Sequence, residues 1–270
     1  MIFKEKTVII TGGSEGVGAA TARLFAEAGA NLMLAARSKK NLEAIATELR
    51  DKTKVKICAM DVSDADACVD LCKKTNYEFG RIDILVNNAG YHKRGAFDSV
   101  DAAELAKIID VNLRAPIFLT RTALPYLYEA GGGAIINVGS LAGRTPVPNS
   151  AAYAASKAGL RSLTYSLAEE LAGKNIKLAI VSPGPIDTGF IMANIDNTSD
   201  LTFSQPISTA TEVAQVILDL CGNTQREVAM PRISGVLTTV SYLMPWLAKA
   251  MRPMLERRGA NVKARLRRQR

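Results

Sequence analysis

The 270-residue sequence predicts an α/β fold: a doubly wound parallel sheet in one domain, with an added amphipathic C-terminal helix. Three observations predict it. Short apolar runs alternate with helical patterns from Thr7 to Val181, the mark of βαβ units and of a parallel sheet covered on both faces. A glycine-rich turn follows the first run directly. No Pro/Ser-rich linker, low-complexity run or fixed-period repeat interrupts the chain, so its length suits one large domain.

The elements follow in order. Thr7–Thr11 reads as a buried strand and Thr11–Gly18 as the glycine turn. Ala19–Ala28 consists of helix formers, with Gly29 placed to end the helix. Asn31–Ala36 (NLMLAA) is a second strand, and Lys40–Arg50 a helix. Val55–Met60 and Ala65–Glu78 repeat the unit, and Ile82–Val86 gives a fourth strand. A long helix spans Ala103–Ala123, a strand Ala134–Val138, a helix Ala151–Leu171 and a strand Ile176–Val181. In such sheets ligands lie beyond the carboxyl ends of the strands, so the segments following each strand are the ones to inspect.

Composition narrows the function classes. The start lacks the apolar core of a signal peptide, and a cytoplasmic location is expected. Cys68 and Cys72 stand four apart with no histidine nearby, a poor zinc pattern, so no metal is expected. Between Lys249 and Arg270 lie nine basic residues and one acid, leaving the remaining body neutral. The basic excess is therefore confined to a tail, and nucleic acid is not an expected partner.

In Thr11-Gly12-Gly13-Ser14-Glu15-Gly16-Val17-Gly18, Gly12 permits the sharp turn and Gly16 a close approach to phosphate. Gly18 lets the helix pack near the sheet, and the helix N-terminus offers free N–H groups to a diphosphate. Asn87-Asn88-Ala89-Gly90 follows the fourth strand. Ser140 ends the fifth, Tyr153-x-x-x-Lys157 lies 13 residues after it, and Pro183-Gly184 with Thr188 follow the sixth. These motifs, in this order and spacing, resemble the short-chain dehydrogenase/reductase family over residues 7 to about 190.

The resemblance implies a Rossmann-type domain over residues 1–234 that exchanges hydride between a nicotinamide and a carbonyl or alcohol. It places Gly12, Gly16, Val17 and Gly18 on the cofactor diphosphate and Asp61 and Val62 on the adenine, while Ser14 could add a hydroxyl toward a phosphate on the adenosine ribose. Asn88, Ala89, Gly90, Pro183, Gly184, Ile186 and Thr188 would border ribose and nicotinamide. Ala36 ends the second strand where an NAD-preferring member usually has an acid, and Arg37 follows. A guanidinium pairs with a 2′-phosphate that a carboxylate would repel, and Ser38 adds a hydroxyl, so NADP(H) is the expected cofactor. Glu15, where a basic residue is common in the family, argues the other way. A homodimer or homotetramer is the expected assembly.

Tyr153 and Lys157 are i and i+4 and share a helix face. A phenol with a pKa near ~10 is a poor base at neutrality, and the neighbouring ammonium is expected to lower it. Tyr153 would give its proton to the developing alkoxide, Ser140 would fix the same oxygen, and Lys157 would also bind the nicotinamide ribose. By resemblance, Asn112 would hold a water that links Lys157 to solvent. His92, the sole histidine, reads as a surface-loop residue. A silent dinucleotide sensor is a second function class, but such a protein would be expected to lose Tyr153 or Lys157.

Gly189–Gln205 would supply an apolar lid through Phe190, Ile191, Met192, Ile195, Leu201 and Phe203, favouring a hydrophobic or lipid-like substrate. Beyond a last strand at Glu227–Met230, residues 235–270 form an extension. There Leu243, Trp246, Leu247, Ala250, Met251 and Met254 form an amphipathic stripe ahead of the basic tail. Three readings of the stripe stay open: packing on the domain or a partner subunit, bordering the substrate pocket, or peripheral contact with a membrane.

Overall fold

A computed structural model of the chain describes residues 3–189, 196 and 198–268. Seven parallel strands form the main sheet: β1 (Thr7–Thr11), β2 (Asn31–Ala36), β3 (Val55–Ala59), β4 (Ile84–Asn87), β5 (Gly133–Val138), β6 (Ile176–Pro183) and, after two short strands, β9 (Glu227–Met230). The short strands β7 (Ile186–Asp187) and β8 (Ser208–Thr209) pair with each other. The order across the main sheet is β3-β2-β1-β4-β5-β6-β9. Strand order therefore reverses between β1 and β4, whose carboxyl ends open a crevice there.

All five β1 residues (TVIIT) are buried, as β-branched side chains are when a strand is covered on both sides. Val8, Ile10, Leu32 and Leu34 meet α1 (Gly16–Glu27), α2 (Lys39–Leu49) and α7 (Ala210–Gly222) through Phe25, Leu42, Leu49, Val213 and Ile217. Ile9, Met33 and Leu85 face the other way, against Leu71 of α3 (Ala65–Phe79) and Leu119 and Leu127 of α5 (Ala115–Glu129). Each such side chain stabilises the fold by ~1.5–3 kcal/mol relative to exposure.

The single helix expected over Ala103–Ala123 is instead two, α4 (Ala102–Ile109) and α5, joined by a π turn at Asp110–Arg114. Asn112 lies in that wider turn. Its amide donates to the Tyr91 carbonyl (2.9 Å) and the Ser156 hydroxyl (3.1 Å) and accepts from the Tyr91 N–H (2.8 Å), while the backbone of the turn keeps an i→i+5 bond from the Ala115 N–H to the Asp110 carbonyl. The next helix is α6 (Ala151–Glu170).

The C-terminus forms α8 (Arg232–Leu243) and α9 (Pro245–Arg268), so Gly235 lies inside a helix rather than at its start. Pro245 opens α9, where its missing N–H has no cost. The stripe splits: Leu247 and Met251 border the cleft described below, whereas Leu243, Trp246 and Met254 stay exposed. α9 docks through its other half. Lys263 is buried, donates to the Thr198 carbonyl at 2.7 Å and pairs with Asp200 at 3.2 Å. Phe203 packs beneath Val262 and Leu266 instead of forming a lid, while Phe190, Ile191, Met192 and Ile195 lie outside the described residues.

Candidate active site

The glycine turn is tight for identifiable steric reasons. Gly12 has φ 64°, and a Cβ there would stand 2.8 Å from the Asn88 amide nitrogen; a Cβ on Gly18 would stand 2.0 Å from the Gly12 carbonyl oxygen. Asn88 donates to the carbonyls of Thr11 (2.8 Å) and Gly12 (3.2 Å), tying the Asn88-Ala89-Gly90 segment to the turn. The Thr11 hydroxyl accepts from the N–H groups of Asn88 (3.1 Å) and Ala89 (3.0 Å). No side chain caps α1. Its first N–H groups therefore face the cleft, a cradle that fits a diphosphate.

The neighbouring strand ends complete this half. Arg37 is exposed beside the cleft, and Ser38 caps α2 by accepting from the Asn41 N–H at 3.2 Å. Asp61 accepts from the N–H (2.9 Å) and hydroxyl (2.7 Å) of Ser63. Burial would raise the Asp61 carboxyl, but these bonds and the charges of Arg37 and Lys107 hold it below its ordinary value.

At the other half, α6 presents Tyr153 and Lys157 beside Ser140, which sits at the end of β5. Lys157 Nζ donates to the Val138 carbonyl at 2.8 Å and stands 5.9 Å from the Tyr153 ring centroid. Ser140 Oγ accepts from the Ala142 N–H at 3.1 Å, and the Ser140 and Tyr153 side chains are hydrogen-bonded. One expectation is corrected here. Burial pushes the Tyr153 phenol above its ordinary value, against the smaller opposing effects of Ser140 and Arg94. The same desolvation pushes the Lys157 ammonium down to about 8, so the ammonium that was to acidify the phenol is itself disfavoured by its surroundings.

His92 is a second correction. It does not sit on an open surface loop: its ring stacks on Tyr153 with centroids 4.1 Å apart and planes 12° from parallel. Burial, then the charges of Arg94 and Lys157, drive its pKa down to about 3, so the imidazole is neutral at neutral pH. Arg94 lines the cleft next to it, half-buried.

Two buried networks also escaped the motif reading. Asn87 donates to Asn137 at 2.9 Å and Asn137 to Thr164 at 2.8 Å, pinning β4 and β5 to the helix that carries Tyr153. Glu227, 5% exposed, pairs with Arg144 and Arg161, each at 2.8 Å. It also accepts from Tyr165 (2.9 Å) and Ser182 (2.7 Å). The signal for both was polar residues inside apolar runs.

One cleft of about 750 Å³ is lined by every expected site residue except Gly18 and Asn112, which lie behind it as supports. Leu141, Val147, Leu237, Val240, Leu247 and Met251 give it apolar lining, beside Thr145, Thr238, Ser241, Lys249 and Arg252. Among the described residues no helix is long and apolar enough to cross a membrane.

A glycine-turn cradle at the sheet's switch point, facing a buried tyrosine–lysine–serine cluster, defines a nicotinamide-dependent oxidoreductase of the α/β class. The short chain dehydrogenase family model matches residues 6–199, and the chain belongs to that family. It is 35% identical over 228 residues to the 3-oxoacyl-(acyl-carrier-protein) reductase FabG of Thermotoga maritima, covering 83% of this chain and 93% of that one. Sulfoacetaldehyde reductase 2 of Chromohalobacter salexigens is 39% identical over 188 residues, covering 68% of this chain and 74% of its own. A metagenomic short-chain oxidoreductase solved in complex with NADP superposes with a TM-score of 0.72 at 32% identity, covering 85% of this chain and 98% of that one.

Proposed function

We propose that the protein is an NADP(H)-dependent reductase of ketones, or dehydrogenase of the matching secondary alcohols, with an apolar substrate body. The observation that carries this reading is the convergence of Ser140, Tyr153 and Lys157 on the wall of the cleft that contains the glycine cradle. The nicotinamide, when bound, supplies or accepts the hydride. Gly12, Ser14, Gly16 and Val17 hold its diphosphate, Asp61 and Val62 border the adenine, and Pro183, Gly184, Ile186 and Thr188 close over the other end. Arg37, beside Ala36 where an acid would favour NAD, points to a 2′-phosphate.

Tyr153, kept protonated by its burial, is the proton donor to the substrate oxygen. Ser140 holds that oxygen in line with the phenol. Lys157, anchored on the Val138 carbonyl with its Nζ 5.9 Å from the Tyr153 ring centroid, would hold its ammonium for the cofactor ribose. The apolar side chains that line the cleft, Leu141, Val147 and Leu237 among them, support a hydrophobic substrate body.

The test follows NADPH and NADH consumption over a panel of ketones with aliphatic tails of increasing length, for the wild type and Tyr153→Phe. The expected result is NADPH-dependent turnover that improves with tail length and falls ~10²–10⁴-fold in the variant. Turnover unchanged by Tyr153→Phe would remove the phenol from its role, and equal use of NADH would remove the Arg37 argument.

A further inference from the structure

α8 is built inside out. The residues turned toward the protein are small or polar: Ser234 bonds to Gln205, and the Gly235 carbonyl accepts from Arg144 at 3.2 Å. Thr239 accepts from Arg144 at 2.8 Å, and Ser241 meets Thr145 at 3.0 Å. The residues turned outward are large and apolar. Ile233 is 68% exposed, Leu243 74% and Trp246, just into α9, 66%. Val236, Tyr242 and Met254 are exposed beside them. Hydrogen bonds fix this orientation, so the apolar face cannot roll inward without stranding Arg144 and three hydroxyls. Soluble surfaces carry exposed apolar residues singly, and a continuous face of this kind marks an interaction site.

We propose that α8 and the first half of α9 form a docking face for an anionic lipid bilayer. This goes beyond the catalytic reading and does not depend on it. Charge selects the occupant. Arg232–Arg268 contains nine basic residues and one acid, Glu256. Lys263 and Arg267 are paired with Asp200 and Asp196, and Arg252 with Glu256. Arg257, Arg258, Arg265 and Arg268 remain exposed further along α9, beyond Trp246 and Met254. A second copy pressed face to face would bring these cations against their own kind, whereas anionic headgroups complement them. Trp246 and Tyr242, exposed amphipathic rings on this face, suit the headgroup layer. The same two helices supply Leu237, Val240, Leu247 and Met251 to the lining of the cleft, so the docking face and the cleft share these elements.

The experiment is flotation of the full chain with vesicles of phosphatidylcholine alone and of phosphatidylcholine mixed with phosphatidylserine, at low and high salt. Wild type is expected to float with the mixed vesicles and to lose at least tenfold in binding at high salt. Leu243→Ser/Trp246→Ser is expected to lose at least tenfold at either salt while its melting temperature stays within a few degrees. Arg257→Glu/Arg258→Glu is expected to lose the preference for phosphatidylserine. Failure of the wild type to float with either vesicle would overturn the proposal. So would a concentration-dependent dimer in sedimentation that Leu243→Ser/Trp246→Ser abolishes, because the face would then belong to a second copy.

Discussion

His92 lies flat on Tyr153, ring over ring at 4.1 Å, with its imidazole held neutral by burial and by the charges of Arg94 and Lys157. The stack fixes one face of the phenol. A neutral ring also adds no charge change of its own between acid and neutral pH. His92→Ala should lower kcat by roughly 2–10-fold, the worth of an aromatic pair, while His92→Phe retains most of the activity. The pH profile of the wild type should show no inflection near ~6.5, the ordinary histidine value. A wild-type inflection there that disappears in His92→Phe would contradict the buried, neutral ring.

Lys157 makes the fold sensitive to alkali in an unusual direction. Its amine releases a proton near pH 8 in the folded chain, whereas in the unfolded chain it holds one to about 10.4. Between those values the unfolded state binds more protons, so this group's contribution raises stability as pH rises. Lys157→Met removes the titration. Comparison of urea midpoints at pH ~7.5 and ~9.5 should show the wild type gaining on the variant; parallel changes would rule out a depressed lysine.

Glu227 is the anchor of a buried charge cluster. Burial would raise its carboxyl, but the bonds from Arg161 and Ser182 and the charge of Arg144 hold it below its ordinary value. Removing it takes the charge partner from Arg144 and from the partly exposed Arg161, so Glu227→Ala should cost ~1–3 kcal/mol in chemical denaturation. A carboxyl depressed in the folded state contributes stability above its unfolded value of ~4.3 and loses it as pH falls through the lower folded value. Glu227→Gln should therefore be less stable at neutral pH yet flatter in its acid dependence. A midpoint within experimental error of the wild type would mean that the cluster is dispensable.

Arg37 can be exchanged for an acid, the residue type that an NAD-preferring member usually carries at the neighbouring position 36. Arg37→Asp should weaken NADP+ binding ~10–100-fold, the range of a charged hydrogen-bonded pair, and leave NAD+ binding equal or improved. Isothermal titration with each cofactor reads this directly. An equal loss for both would place Arg37 outside the discrimination.

Much of the architecture was legible because strands buried on both faces write themselves as uninterrupted apolar runs. Thr7–Thr11 and Asn31–Ala36 are such strands with the expected bounds, and the half-buried edge strand Glu227–Met230 also has them. The cofactor turn was legible because sterics leave Gly12 and Gly18 no alternative residue. The break in the helix at Asn112 was not, since it depends on Tyr91 and Ser156 meeting one amide. His92 was misjudged for the same kind of reason: its stacking partner is on a distant helix. The C-terminal stripe was visible as a periodicity, but periodicity does not say which face turns inward. Here Leu247 and Met251 turn to the cleft, while on α8 the polar face turns inward because Arg144 and Gln205 offer it hydrogen bonds.

Arg144 holds three parts of the molecule at once: the turn that follows Ser140, Glu227 on β9, and Gly235 and Thr239 on α8. The helix that carries the outward apolar face and the turn that carries the serine are thus coupled through one guanidinium. A pull on the first is felt at the second. Trimming the chain to residues 6–199, the extent matched by the family, would remove Glu227, Gly235 and Thr239 together, strip that arginine of these partners and slacken the turn beside the tyrosine.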